Sequence, residues 1–320
     1  MDSYKSVLKV IGPGRKFLLT THHNPDADAV ASVLAMALYL KCLGKKIQVL
    51  NEDACPPWLT FLPGTSMFKK ASEVRPGDYD AAIVLDCGDL ERVGSVGKSI
   101  QRTKPLINID HHVTNDGFGN INVVQPKASS SCEMVFDLLQ DAGHPLDKNL
   151  AILLYAGIMT DTGSFRYENT SAHCHAVAEK LMAFKFSAAH MYDRLYVGIP
   201  VEDMKLFTFV IHKAQLLDGN RVYCVALSRK MKDSFSKSFD LNEKIFAFLR
   251  SVQGIEVAVI LTELNSLEVR VNLRSQNDFD VAALAQQFEG GGHKKAAGCK
   301  IQGSLSLAQQ KICLAIHKKI

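Results

Sequence analysis

The chain has 320 residues, of which 47% are hydrophobic and 22% charged, and its formal net charge is +4. This apolar fraction excludes a disordered chain, and the length favours two domains. The small charge does not indicate a duplex-DNA binder, and no apolar run reaches the roughly 18 residues that span a bilayer. Eight scattered cysteines without a Cys-x-x-Cys pair favour reduced thiols in a cytoplasmic protein over disulfides or structural zinc.

In the first half of the chain, short apolar runs alternate with segments of helical periodicity. Strands are predicted at residues 16–20, 47–50, 81–85 and 106–109. Helices are predicted at residues 27–41, 131–142, 150–159 and 171–184. Apolar strands that alternate with helices are typical of a parallel sheet covered on both faces. We therefore predict an α/β domain over residues 1–186, with a mostly parallel sheet flanked by helices.

The second half has a different rhythm. We predict a partly helical linker over residues 187–217, because Gly198-Ile199-Pro200 interrupts the pattern there. Strands are then predicted at 221–227, 256–263, 267–274 and 297–301, and helices at 242–252, 281–288 and 305–318. The spacing indicates a smaller α+β domain over residues 218–320, with a mixed or antiparallel sheet.

Polar side chains follow three of the predicted strands of the first domain. His22, Asp86 and Asp110 come where these strands end, and the carboxyl ends of parallel strands lie at one edge of a sheet, where ligands bind. We expect a convergent set at that edge: His22, Asp26, Asp28, Asp86, His111 and Asp161, together with His112 or Asp110.

Such a cluster of carboxylates indicates metal ions. Four or more acids this close would repel one another, and two divalent cations remove that repulsion. Mixed carboxylate and imidazole ligands suit two Mn²⁺ ions, with Mg²⁺ or Co²⁺ as alternatives, and a metal pair can hold both the attacking and the leaving oxygen at a phosphorus centre. The simpler alternative for Asp26 and Asp28 is that they cap the helix that follows them.

Four segments that contain these residues, at positions 22–29, 86–89, 110–112 and 160–163, resemble the four motifs of the DHH phosphoesterases, in the family's order. Gly290-Gly291-Gly292-His293 followed by Ala296-Ala297-Gly298 resembles the signature of the family's associated C-terminal domain. In its length and in this second signature, the chain resembles the branch of the family that contains nano-RNases and 3′-phosphoadenosine-5′-phosphate phosphatases. The four motif segments are His22-His23-Asn24-Pro25-Asp26-Ala27-Asp28-Ala29, Asp86-Cys87-Gly88-Asp89, Asp110-His111-His112 and Thr160-Asp161-Thr162-Gly163.

The resemblance implies a role for each residue. The metal ligands would be His22, Asp26 and Asp86 for one ion and Asp28, Asp86, His111 and Asp161 for the other, with Asp86 shared. His112 would contact the phosphate or give a proton to the leaving oxygen, and Asp110 would orient it. The implied catalytic residues are thus Asp86, Asp110, His111 and His112. Counting four residues back from Asp26 selects His22 over His23 as the ligand.

The triple glycine of the second domain has two interpretations from its residues alone. Its backbone N–H groups can approach an anion closely, or it forms a flexible turn after a helix. The resemblance favours phosphate or nucleotide binding. Arg274 is the candidate for a bidentate phosphate contact, and its alternative is a solvated arginine at a strand end. The predicted substrate-binding residues are Arg274, Ser275, Gly291, Gly292 and His293, which would place the active site in the cleft between the domains.

The leading hypothesis is a two-metal phosphodiesterase that hydrolyses short RNA and dinucleotides to mononucleotides. The hypothesis includes a second activity, the removal of the 3′-phosphate from 3′-phosphoadenosine-5′-phosphate. The alternatives are a phosphodiesterase for cyclic dinucleotides or their linear products, and a non-catalytic nucleotide-binding regulator. The regulator is disfavoured because such proteins lose metal ligands, and every expected ligand type is present here. We expect a homodimer that binds neither duplex DNA nor a membrane.

Overall fold

The computed structural model describes residues 2–73, 77–101, 103–197 and 199–320, so the predicted interruption at Gly198 lies outside the described residues. The chain divides into two compact units, one ending at Leu195 and the other running from Tyr196 to Ile320. The finer division into residues 1–186, 187–217 and 218–320 stays a prediction. In the described part of the chain, no helix is both long and apolar enough to cross a membrane.

The first unit contains six strands and seven helices among its described residues. The strands are β1 (Lys16–Thr20), β2 (Lys46–Asn51), β3 (Phe68–Lys70), β4 (Ala81–Leu85), β5 (Leu106–Asp110) and β6 (Ile121–Val124). The helices are α1 (Asp2–Ile11), α2 (Ala27–Cys42), α3 (Gly97–Ile100), α4 (Ser131–Asp141), α5 (Lys148–Asp161), α6 (Ala172–Met182) and α7 (Ala188–Tyr196), the last reaching one residue into the second unit. The predicted strands and helices of this half are confirmed, whereas α1, α3, β3 and β6 were not predicted.

All neighbouring strands of the first sheet run parallel, in the order β3-β2-β1-β4-β5-β6. Both β4 and β5 are buried along their whole length, because helices cover the two faces of the sheet. The order reverses between β1 and β4. A crevice forms outside the carboxyl ends of the strands at such a reversal, and the residues after β1 and β4 therefore lie at the natural ligand site of this fold.

The second unit contains a six-stranded mixed sheet among its described residues. The strands are β7 (Gln215–Leu217), β8 (Val222–Leu227), β9 (Val257–Asn265), β10 (Glu268–Ser275), β11 (Gly291–His293) and β12 (Ala296–Gln302), in the order β11-β12-β10-β9-β8-β7. The helices are α8 (Met204–Lys213), α9 (Arg229–Asp233), α10 (Leu241–Arg250), α11 (Val281–Ala285) and α12 (Leu305–His317). Only β8 and β9 pair in parallel, which confirms the predicted mixed sheet.

Alternate residues of β8 and β9 point to two different cores. Val222, Cys224 and Val259 belong to the face covered by α11 and α12, and Tyr223 and Ile260 belong to the face covered by α8 and α10. This alternation follows from the two-residue period of a strand. The second unit is thus a sheet with helices on both faces, built around two separate apolar clusters.

Candidate functional site

The loop that follows β1 carries the first two candidate ligands. The Nδ1 atom of His22 donates a hydrogen bond to the carbonyl of His23 at 2.8 Å, so its Nε2 is the ring nitrogen that faces the acids. This Nε2 lies 4.0 Å from an oxygen of Asp26. Asp26 also caps α2, because its other oxygen accepts the N–H of Ala29 at 3.0 Å. The capping interpretation of Asp26 is therefore correct, and it leaves the second carboxylate oxygen directed toward His22. The ring of His23 donates elsewhere, to the carbonyl of Arg92 at 2.8 Å.

Asp86 lies at the centre of the cluster. It follows β4 with a positive φ of 54°, a conformation that aspartate tolerates better than most residues. One of its oxygens is 3.7 Å from Nε2 of His22, and the other is 3.5 Å from Nε2 of His111. Burial raises the pKa of Asp86, but hydrogen bonds from the His111 and His22 rings outweigh it and hold this pKa well below its usual range. Asp86 thus presents one carboxylate oxygen to each of two imidazoles.

Asp28 is buried where α2 meets the first turn of α4. Its two oxygens accept the backbone N–H groups of Ser131 at 2.7 Å and Cys132 at 3.0 Å. Burial raises its pKa well above the usual range, and the negative charges of Asp86 and Asp161 raise it further. A carboxylate in this position is unfavourable without positive charge nearby.

His111 and Asp161 complete this side of the cluster. Nδ1 of His111 lies 3.3 Å from the carbonyl of Ala128, and its Nε2 is 3.2 Å from an oxygen of Asp161, the last residue of α5. Burial lowers the pKa of His111, whereas Asp161 and Asp86 raise it, and the net result is well above the usual range. The neighbouring acids therefore favour the positively charged form of His111. A divalent cation would supply that positive charge and return His111 to its neutral, ligating form.

The glycine at position 157 on α5 permits this close packing. A Cβ atom there would lie 2.3 Å from Sγ of Cys132 and 2.5 Å from an oxygen of Asp28. Both distances are too short for any side chain, so α5 approaches the buried carboxylate only through a glycine.

Asp110 and His112 belong to a separate hydrogen-bonded network beside the cluster. Nδ1 of His112 donates to one oxygen of Asp110 at 2.7 Å. The amide of Asn115 donates to the other oxygen at 2.6 Å and to the side-chain oxygen of Asn108 at 2.8 Å. Asp110 is fully buried, and burial raises its pKa, but the bond and charge of His112 and the bond from Asn115 together outweigh burial and lower this pKa. The network holds the His112 ring in one orientation.

The structure therefore brings together the eight predicted residues of the first unit. Among the described residues, three groups of three ligand atoms share Asp86, and the atoms of each group lie within 4.8 Å of one another. Two of them, His22, Asp26 and Asp86 and Asp28, Asp86 and His111, match the predicted metal ligands, and the third consists of Asp86, Asp110 and His112. Neutral imidazole nitrogens and carboxylate oxygens are the donors that Mn²⁺ and Mg²⁺ accept, and the mutual repulsion of the acids supplies the reason for a cation. The donor set fits a pair of divalent metal ions.

Sequence reasoning missed three residues that touch this cluster. The hydroxyl of Ser131 donates to Asp86 at 3.0 Å, and the amide of Asn169 donates to the carbonyl of Asp161 at 3.1 Å. Asn115, described above, is the third. Ser, Asn and Thr are common in loops, and nothing in their spacing marks these as partners of the acids.

In the second unit two of the predicted substrate residues, Arg274 and Ser275, have side-chain partners within that unit. Arg274 donates to Glu243 at 2.9 Å, and its guanidinium lies 4.8 Å above the ring of Phe246. The hydroxyl of Ser275 donates to the carbonyl of Phe279 at 2.7 Å.

Gly291 and Gly292, the last two residues of the triple glycine, lie in a strand and not in a flexible turn. Gly291, Gly292 and His293 form β11, the edge strand of the sheet, paired antiparallel with β12. A Cβ at Gly292 would lie 2.5 Å from the carbonyl oxygen of Ala296, so the glycine allows the two strands to approach. One edge of β11 is paired with β12, and no other described strand borders its second edge.

Comparison with known proteins follows the same division of the chain. The model of the DHH family, N-terminal domain, matches residues 16–158, and the model of the DHHA1 domain matches residues 238–318. The chain is 31% identical over 320 residues to the bifunctional oligoribonuclease and PAP phosphatase NrnA of Thermus thermophilus, covering 98% of this chain and 92% of that protein. It is 27% identical over 287 residues to the NrnA of Bacillus subtilis, covering 89% and 88% of the two chains.

Among solved structures, the chain is similar to an exopolyphosphatase-related protein from Bacteroides fragilis. The TM-score is 0.87 at 23% identity, and the match covers 99% of this chain and 96% of that one. At this level of identity the likeness concerns the fold, and it extends over both units.

Proposed function

This chain belongs to the DHH family, with the family's DHHA1 domain in its second half, and we propose that it is a metal-dependent phosphodiesterase that hydrolyses short oligoribonucleotides to mononucleotides. The relatives from Thermus and Bacillus are named as both oligoribonuclease and PAP phosphatase, which supports 3′-phosphoadenosine-5′-phosphate as a second substrate. The observation that carries the proposal is the pair of ligand groups that share Asp86 in a buried, acidic site.

The proposed metal ligands are those of the two groups together with Asp161. One ion would be held by His22, Asp26 and Asp86, and the other by Asp28, Asp86, His111 and Asp161. When bound, such ions lower the pKa of the attacking water and offset negative charge on the phosphoryl oxygens. We propose Mn²⁺, with Mg²⁺ or Co²⁺ as alternatives, because these ions accept both carboxylate and imidazole donors.

His112 is the proposed proton donor to the leaving oxygen. Its Nδ1 is committed to Asp110, so Nε2 is the atom that exchanges a proton with the substrate. Asp110 is held in turn by Asn115, and this chain of hydrogen bonds keeps the ring orientation fixed during the reaction. Asp86 and His111 would contribute to the same step as metal ligands, because the bound cations would position the phosphate.

The proposed substrate contacts are the residues of the second unit: Arg274, Ser275, Gly291, Gly292 and His293. The ion pair with Glu243 and the stacking on Phe246 hold the Arg274 guanidinium in place, which would lower the entropic cost of a phosphate contact. A cytoplasmic location, a homodimer and the lack of duplex-DNA binding stay predictions.

The experiment that tests this function compares turnover of four compounds by the manganese-supplied protein. A ribo-dinucleotide and 3′-phosphoadenosine-5′-phosphate should be hydrolysed, and linear di-adenylate should be cut faster than cyclic di-adenylate. Hydrolysis of the cyclic compound alone would contradict the proposed substrates. A protein that stays inactive on all four compounds with each of the three metals would contradict the function itself.

A further inference from the structure

Two of the cysteines in the second unit lie side by side, although 89 residues separate them in sequence. Cys224 is on β8 and Cys313 is on α12, and their sulfur atoms are 3.8 Å apart. Both thiols are free. We propose that Cys224 and Cys313 form a peroxide-reactive pair, in which Cys313 is oxidised first and Cys224 then closes a reversible disulfide between the sheet and the C-terminal helix.

The two thiols differ in their surroundings, and this difference assigns their roles. Cys313 is half-buried on α12, whereas Cys224 is buried in the apolar cluster beneath that helix. The hydrogen bond between the sulfurs lowers the pKa of Cys313 and raises that of Cys224, and burial raises the latter further. A peroxide reacts with a thiolate, and oxidation-sensitive cysteines typically combine accessibility with a neighbouring thiol that resolves the product.

The space around Cys224 allows the sulfurs to approach. A cavity of about 70 Å³ borders Cys224, Met231 and Gln309. The amide of Gln309 lies 3.6 Å from Sγ of Cys224 and 3.0 Å from the side-chain oxygen of Gln215. The two sulfurs must approach from 3.8 Å to the roughly 2.05 Å of an S–S bond, and this cavity is space beside Cys224 into which displaced atoms can move.

The proposed reaction with hydrogen peroxide has two steps. The Cys313 thiolate attacks one peroxide oxygen, the O–O bond breaks, and the released hydroxide takes up a proton to give water and a sulfenic acid. The Cys224 sulfur then attacks the sulfenic sulfur, its proton leaves with the hydroxyl group as a second water, and the S–S bond forms. Two thiols lose two electrons and two protons in total, and one peroxide becomes two waters. A dithiol reductant reverses the change.

The test uses the full-length protein treated with about one equivalent of hydrogen peroxide, followed by alkylation and peptide mass spectrometry without reductant. We expect a linked pair of peptides containing Cys224 and Cys313, lost again after treatment with dithiothreitol. If these two peptides remain unlinked while the other thiols oxidise, the proposal is wrong.

Two variants separate the roles of the two thiols. In Cys224→Ala, a sulfenic-acid probe such as dimedone should label Cys313, and in Cys313→Ala it should leave Cys224 unlabelled. Labelling of Cys224 in place of Cys313 would overturn the assigned order. Cys299→Ala is the matched control, because Cys299 faces the same apolar cluster, and this change should leave the Cys224–Cys313 linkage intact. None of these readouts depends on catalytic activity.

Discussion

The polar residues of the two units are stabilised in different ways. At the edge formed by β1, β4 and β5, acids face one another with imidazoles between them, and burial together with the charges of Asp86 and Asp161 raises the pKa of Asp28 well above its usual range. In the second unit, Arg274 pairs with the carboxylate of Glu243, and Ser275 pairs with a backbone carbonyl. The first arrangement requires a cation from outside the chain, whereas the second is complete by itself.

The difference shows which structural evidence points to a ligand. A buried residue that is destabilised by its neighbours indicates that something absent from the chain belongs there. A residue that is paired within its fold can serve either stability or binding, and the geometry of the pair does not distinguish the two. The proposed metal ligands therefore rest on electrostatics, and the proposed substrate contacts need kinetic tests.

The largest effect is expected from Asp86→Ala. Loss of the shared carboxylate should lower kcat on a ribo-dinucleotide by more than the roughly 10- to 100-fold that loss of a residue supporting a metal ligand costs. Turnover and bound manganese should both be measured. Asp137→Asn is the control, since Asp137 pairs with His173 on the surface and should leave both unchanged. Full turnover in Asp86→Ala would refute the shared ligand.

A smaller effect should follow from Asn115→Ala. The change removes the bond that holds Asp110, so kcat should fall by roughly 10-fold while KM stays nearly constant. Asn122→Ala is the matched control, because Asn122 also braces this loop through Gly117 and Gly119. An equal loss in both variants would mean that Asn115 only stabilises the loop.

Arg274→Ala tests whether the second unit binds the substrate. If its guanidinium contacts a phosphate, KM should rise by about 10-fold, which corresponds to roughly 1.4 kcal/mol, with kcat little changed. Arg250→Ala removes the other arginine that pairs with Glu243, at 3.7 Å, and should lower thermal stability without raising KM. The same KM in both variants and in the unaltered protein would reduce Arg274 to a structural role.

The smallest effect concerns Asp240, the residue that caps α10. Burial, followed by the charge of Glu243, raises the pKa of Asp240 to about 6. This pKa exceeds the value of roughly 3.9 in the unfolded chain, so the folded state binds the Asp240 proton more tightly. Protonation of Asp240 therefore adds to the free energy of unfolding at low pH, and this contribution is lost as the pH rises through about 6.

Asparagine is also a good N-cap residue and does not ionise. Asp240→Asn should therefore keep the cap of α10 and remove the loss of stability at higher pH. The melting temperature of the variant should therefore exceed that of the unaltered protein by on the order of 2 °C at pH 7.5, and the difference should vanish at pH 4. Melting curves of the two proteins at both pH values provide the measurement. A gap of equal size at both would show that the charge of Asp240 is not its cause.

Much of the first unit could be predicted from the sequence because its signals are local. Apolar runs of strand length that alternate with helices specify a parallel sheet, and such a sheet brings the residues after its strands to one edge. His22, Asp86 and His111 were found in this way. The short strands β3 and β6 were missed because three or four half-exposed residues carry too weak a pattern.

The sequence by itself determined the succession of elements and the edge at which the acids and histidines meet. Only the tertiary structure decided which side chain each of them touches: Ser131 on Asp86, Asn115 on Asp110, Glu243 on Arg274, and Cys313 on Cys224. Periodicity records the face on which a residue lies, because that depends on its near neighbours along the chain. A contact between residues far apart in sequence depends on how whole elements pack, and no local pattern encodes it.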